Sequence, residues 1–230
     1  MASHAKLGML FLHALPLDGS MWAEQMHLLP GSTYAPTLYS WGDRIEEWAM
    51  AALKLVREDR LIVVGCSVGG SCALEVAAIA PDRVAAMVLI GTKAQHRPDS
   101  VLHASALTTI REKGLEESWN IFWGPLISDA ARSQVISVAK RIALRQSPDE
   151  VSRGVTVFHT RPSRDQLLCK FPNPVIFVTG ADDSAPDPTT QAALAQHGHL
   201  HVIPQCGHYV PMERPANLNS ILSGVIAALQ

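Results

Sequence analysis

The 230-residue chain lacks a run of some 18 apolar residues, a Cys-x-x-Cys pair and a stripe of basic residues. Each absence closes off a class of function. Without the apolar run, no helix is expected to cross a bilayer. The four cysteines (Cys66, Cys72, Cys169, Cys206) are scattered without metal-type spacing. They are expected to be reduced, mostly buried thiols of a cytoplasmic protein. Lys and Arg number 19 against 21 Asp and Glu, for a formal charge of −2. With a pI of about 6.5, neither nucleic acid nor an anionic membrane is an expected partner. Charged residues make up only 17% and hydrophobic residues 47%, which suits a sizeable core and argues against disorder.

The N-terminal "KLGMLFLHALPL" has the outline of a short leader, with Lys6 ahead of an apolar stretch. His13 interrupts that stretch, however, and no small-residue cleavage site follows it. A buried strand ending in a functional loop accounts for the same letters.

Short aliphatic runs alternate with helical patterns along the chain, which predicts a mostly parallel sheet with helices on both faces. The predicted strands are Gly8–His13, Leu61–Gly65, Ala85–Ile90, Val175–Thr179 and His201–Ile203. The predicted helices lie near Glu46–Glu58, Gly69–Ala80, Pro188–Gln196 and Ala216–Leu229, the last opening at Pro215. Between Lys93 and Phe171 the alternation breaks into helices without strands. That segment is expected to be an insertion, spanning approximately residues 94–170, that lies over the ends of the sheet within a single domain of residues 1–230.

One stretch carries a specific chemical signal. In "LIVVGCSVGGSCALEVAA", a buried strand stops at Gly65, presents Ser67 and resumes as a helix. The form is G-x-S-x-G, and between a strand and a helix it describes a nucleophile elbow. The tight turn demands small neighbours, which Gly65, Gly69 and Gly70 supply. A serine hydroxyl needs a base to take its proton, and that base needs a carboxylate to orient it. "VIFVTGADDSAP" offers Asp182 and Asp183 after a strand, and "VIPQCGHYVPMERP" offers His208 after another.

The order of serine, acid and histidine, with "FLHALPLDGSMW", "VVGCSVGG", "VTGADDSAP" and "CGHYVPMERP", resembles the α/β-hydrolase fold family, especially its small esterase and lactonase members. The resemblance runs from about Gly8 to the C-terminus. It implies an oxyanion hole from the backbone amides of Leu15, in His13-Ala14-Leu15-Pro16, and Val68, next to the nucleophile. Ala14 stands where the family usually has glycine. Only a dozen residues precede His13, so a trimmed α/β-hydrolase sheet of about six strands is expected, with a small helical cap insertion. The family's acid usually stands three places beyond the glycine, which favours Asp183. Asp182 is expected to face its own turn and accept backbone N–H groups.

Other features have plainer explanations. "HGHLH" at His197, His199 and His201 lacks a carboxylate or cysteine at ligand spacing, so a solvated strand entry explains it and no metal is expected. His13 is expected to serve its loop by hydrogen bonding, and Cys66 to pack as a small apolar side chain. Trp119, Phe122 and Trp123 suit either a pocket lining or an anchor for the insertion.

The reading that follows is a serine esterase cleaving a small-molecule carboxylic ester, with Ser67, Asp183 and His208 as triad and no cofactor. Lactone opening, carbon–carbon cleavage and perhydrolysis run on the same triad, and a ligand receptor without turnover shares the fold. The insertion carries no evident basic cluster, so a modest, mainly apolar pocket for short to medium acyl chains is expected. Oligomeric state is not legible in the sequence.

Overall fold

The computed structural model describes residues 6–183 and 192–230. Six strands form one sheet: β1 (Leu7–Leu12), β2 (Thr33–Tyr34), β3 (Arg60–Cys66), β4 (Val84–Ile90), β5 (Val175–Gly180) and β6 (Gly198–Ile203). Their order is β2-β1-β3-β4-β5-β6, and every pairing is parallel. The central strands read as unbroken apolar runs because both of their faces are covered: β4 is buried at every residue, and β3 at all but Arg60. The edge strand β6 differs. Its burial alternates from Gly198 on, with His199, His201 and Val202 outward or partly so, as one solvated face requires.

Helices α1 (Ile45–Leu55) and α2 (Val68–Ile79) pack on each other, and α2 lies across β1, β3 and β4. Four helices occupy the stretch between β4 and β5: α3 (Ser100–Ser118), α4 (Ser133–Leu144), α5 (Pro148–Thr160) and α6 (Asp165–Lys170). No strand interrupts them. Gly114, at φ 79°, kinks α3, and a π-helical turn follows at Trp119–Trp123. After β6 come the single turn α7 (Val210–Glu213) and the final helix α8 (Pro215–Leu229).

The predicted strands and helices match these elements within a few residues, with two differences. Strand β2 is not among the predicted strands. It is only Thr33–Tyr34, paired with Met9 and Leu10, and two residues cannot display a period. Strand β6 begins three residues before His201, because "GHLH" is the half-wet part of an edge. The predicted helix at Pro188–Gln196 falls mostly outside the described residues; its helical part within them is 192–194.

The topology itself locates a crevice. The chain runs outward from β1 to β2, then returns past β1 to β3 and continues to β6. Beyond the carboxyl ends of β1 and β3 the two directions diverge, and open α/β sheets bind ligands at such a switch point. The end of β1 leads into His13–Leu15, and the end of β3 into Ser67.

A buried carboxylate on α2 ties this framework to the segment before β5. Glu75 is 1% exposed and pairs with Arg164 through two hydrogen bonds, 2.7 and 2.8 Å. Removing the arginine strands a buried charge. Arg164→Met should therefore cost roughly 2–3 kcal/mol in urea unfolding, less than for a fully buried pair because the guanidinium is partly wet. Combining it with Glu75→Leu should restore most of the loss. A single variant as stable as the parent would show that the pair carries no weight.

Candidate active site

Ser67 sits between β3 and α2 with φ 56° and ψ −118°, a conformation sparsely populated by L-residues that stores about 1–3 kcal/mol of strain. From Leu61 through Ala77 it is the one residue that is not buried. Its surroundings explain how the strain is held. The Ser67 amide donates to the Ile90 carbonyl at 2.8 Å, while its own carbonyl accepts from Gly70 and Ser71 at 3.0 and 3.2 Å. A methyl group on Gly65 would overlap the backbone of Gly69 and Gly70, and one on Gly69 would overlap the carbonyls of Leu12 and His13. Only bare backbone allows the first turn of α2 to come this close to β1.

His208 and Asp183 meet across the ends of β5 and β6. The imidazole Nδ1–H donates to Asp183 Oδ2 at 2.8 Å, with side chains 4% and 1% exposed. That bond leaves Nε2 available to exchange a proton. His208 and Ser67 line the same cavity. Gly91, after β4, adjoins the pair: a Cβ there would fall 2.7 Å from the imidazole and 3.0 Å from the Asp183 carboxylate. Asp182 is elsewhere. Among the described residues, its carboxylate accepts the Ser128 hydroxyl and no backbone N–H of its own turn.

The loop after β1 is held at both ends. His13 is fully buried; its Nδ1–H donates to the Ala14 carbonyl at 3.1 Å, and Nε2 accepts from the Leu38 amide at 2.9 Å. Both ring nitrogens are therefore engaged in shaping the loop. The Leu15 carbonyl accepts from the Tyr209 hydroxyl at 2.9 Å, and the Ala14 carbonyl accepts from the Leu17 amide at 2.9 Å. With these carbonyls engaged, the amides of Leu15 and Val68 form no hydrogen bond within the protein among the described residues. Leu15 lines the cavity, and Val68 opens α2 directly after Ser67.

Three further residues shape the site without a role read from the sequence, although Tyr209 and Glu213 stand in the quoted "CGHYVPMERP". Glu213, in α7, is 2% exposed and accepts the backbone amides of Ser128, Gly207 and Tyr209 at 3.0, 2.8 and 3.0 Å. It thereby fixes both flanks of His208, whose own amide donates to the Leu126 carbonyl at 2.8 Å. Ser128 holds Asp182, and Tyr209 holds Leu15. Ser128 and Tyr209 reach across 54 and 194 positions, and Glu213 reaches Ser128 across 85.

The cavity over Ser67 measures about 360 Å³, at the small end of the range for small-molecule sites (~300–1,000 Å³). Leu102, Ala106 and Phe158 from α3 and α5 line it, with Phe122 and Trp123 from the π-helical turn. Trp119 instead is buried and stacks on Tyr209 at 6.5 Å. The lining is not wholly apolar. Lys93 and Arg161, 68 positions apart in the chain, both border the cavity.

A family model described as alpha/beta hydrolase family matches residues 9–221, and the chain belongs to that family. A search of curated proteins finds no match by sequence. Among solved structures, the chain is similar to a thermophilic esterase from Thermogutta terrifontis with malate bound (TM-score 0.86, 23% identity, 99% of this chain and 92% of that one). It is also similar to MenH from S. aureus (TM-score 0.83, 14% identity, 100% and 96%). A third is the enol-lactonase from Burkholderia xenovorans LB400 (TM-score 0.81, 16% identity, 98% and 92%). At these identities the likeness is one of fold.

His13 makes stability depend on acid. Burial pushes its pKa down to about 4, against 6.5 for an ordinary imidazole. The unfolded chain thus binds a proton that the folded chain excludes, so stability rises with pH between those values. His13's contribution is complete above about 6.5 and shrinks as pH falls towards 4. Unfolding free energy should decline across that window, and more shallowly in His13→Gln than in the parent. Parallel declines in the two proteins would contradict the assignment.

Proposed function

We propose that the protein is a serine hydrolase of small carboxylic esters, working through an acyl-enzyme. The observation that carries this reading is the conjunction of a strained, partly exposed serine with an imidazole whose far nitrogen is held by a buried carboxylate, both on one cavity. Ser67 Oγ attacks the ester carbonyl as His208 Nε2 takes its proton, and the amides of Leu15 and Val68 receive the oxyanion. The leaving alcohol departs with that proton. Water then attacks the acyl-enzyme, gives its proton to Nε2, and releases the acid as Ser67 recovers its hydrogen. Asp183 keeps the imidazole in the Nδ1–H tautomer and stabilises the transient imidazolium. No cofactor takes part in this scheme.

Replacing the nucleophile tests the reading directly. Ser67→Ala should lower kcat on p-nitrophenyl acetate by about 10⁴ or more, and a serine-directed phosphonylating reagent should label Ser67 alone. Near-parental turnover in the variant would end the proposal.

The two adjacent carboxylates supply a second test. Asp183→Asn should reduce kcat by up to about 10⁴, since the amide favours the wrong tautomer. Asp182→Asn weakens only the bond from Ser128, so it should cost about 1 kcal/mol of stability with little change in kcat. A greater kcat loss at Asp182 would reverse the assignment.

A further inference from the structure

Among the described residues, two cations border the cavity without a charged partner. Arg161, directly after α5, is 6% exposed and lines the space over Ser67. One guanidinium N–H donates to the Phe158 carbonyl at the helix end, and the guanidinium carbon stacks 3.9 Å from the centroid of the Phe158 ring. These contacts use one of five donors and the weak attraction of a ring face, and they supply no anion. Among the described residues, no carboxylate lies within ion-pair distance of Arg161 or Lys93. Burial lowers the arginine pKa only to about 10, so the group stays cationic at neutral pH. The neighbouring His159 cannot serve as counter-charge, and burial, His103 and Arg161 push its pKa down to about 4.

The two cations are brought together by construction. The segment after β4 and the segment after α5 are joined by three hydrogen bonds. Arg164 N–H donates to Ala94 O at 2.9 Å, His96 N–H to Ser163 Oγ at 3.1 Å, and His96 Nε2–H to His159 O at 3.0 Å. Lys93 thus leaves the active-site edge of β4, two residues past the glycine that adjoins His208, beside the chain that carries Arg161. A desolvated cation is unfavourable until an anion completes it. A planar guanidinium backed by an aromatic ring has the geometry to accept a carboxylate in its own plane.

Resting on the ester-hydrolase reading above, we propose that Arg161 and Lys93 form an anion subsite, so that the preferred substrate is a short ester or lactone bearing a free carboxylate. The carboxylate sits against Arg161 while the scissile carbonyl lies at Ser67. Lys93, exposed at the mouth, draws the anion in, and the apolar wall from α3 covers the carbon chain between the two ends. The alternative role for Arg161 is structural, as a cation at the C-terminal end of α5. That role predicts no preference for anionic substrates.

The test compares the monomethyl esters of succinate, glutarate and adipate with the methyl esters of the matching monoamides, which are equal in length and neutral. The parent should favour the acid over the amide in kcat/KM by about 30- to 100-fold at one or more lengths, mostly through KM. Arg161→Gln should collapse that ratio towards one, and Arg161→Lys should restore part of it. A parent that handles amides as well as acids overturns the subsite, whatever the variants do. A second arm does not depend on turnover. Calorimetry on Ser67→Ala should detect binding of at least one of the three diacids, weakened by adding Arg161→Gln. If no ester turns over and a diacid still binds through Arg161, the esterase reading fails and the subsite stands. If esters turn over and no diacid binds, the subsite fails alone.

Discussion

The site depends on how closely the first turn of α2 approaches the ends of β1 and β3. Gly65 offers no side chain where Gly69 and Gly70 press against it, and these two offer none where Leu12 and His13 meet Gly69 and Thr92 meets Gly70. That contact forces Ser67 into a conformation its neighbours must sustain, and it lifts the hydroxyl clear of a stretch otherwise wholly buried. The same contact sets Val68 at the helix start, with its amide beside the hydroxyl, and brings the loop after β1 within reach. Strain at one residue and the position of two candidate oxyanion donors are therefore consequences of a single packing constraint.

A second layer of contacts ties the ends of β1 and β6 to the segment between β4 and β5. Tyr209 reaches from beyond β6 to the Leu15 carbonyl, while Glu213 gathers amides on either side of His208 and one from the segment between β4 and β5. A carboxylate satisfied by three backbone donors is stable in a dry interior, where an unpaired one would not be. Its placement couples the histidine to the helices above it. Movement of the Leu126–Ser128 segment would be felt at His208 directly, because the His208 amide bonds to Leu126.

The parts legible in the sequence are those in which function and local structure share the same few residues. Ser67, His208 and the Asp182–Asp183 pair each stand at the end of an apolar strand, beside a glycine, so spacing alone singled them out. The parallel sheet and the strandless stretch before β5 were equally visible as periodicity. What stayed hidden depends on distance in the chain. Ser128 and Asp182 are 54 positions apart, and Glu213 looks like any surface carboxylate until the fold brings three amides to it. Arg161 lies in "TRPSRD", which matches no motif read from the sequence. The choice between adjacent aspartates rested on likeness to a family pattern, since side-chain direction at a strand end follows from the turn and not from composition.

The charged groups removed from water divide by how they are satisfied. Glu75 has Arg164, Glu213 has backbone amides, and Asp18 has Arg145 with Ser20 and Gln146. Each of these lies in the framework, where a fixed partner is also a structural tie. Arg161 has an aromatic face and one carbonyl, and it borders the cavity instead of the framework. With Glu75, Glu213 and Asp18 tied to fixed partners and this cation left open to the cavity, the arrangement lets the missing anion arrive with the ligand. The energy such an ion pair releases would be available only when a correctly charged molecule spans the distance to Ser67. On that view the apolar wall and the cations have separate tasks: one excludes water from the reacting carbonyl, and the other decides which molecules bring a carbonyl there.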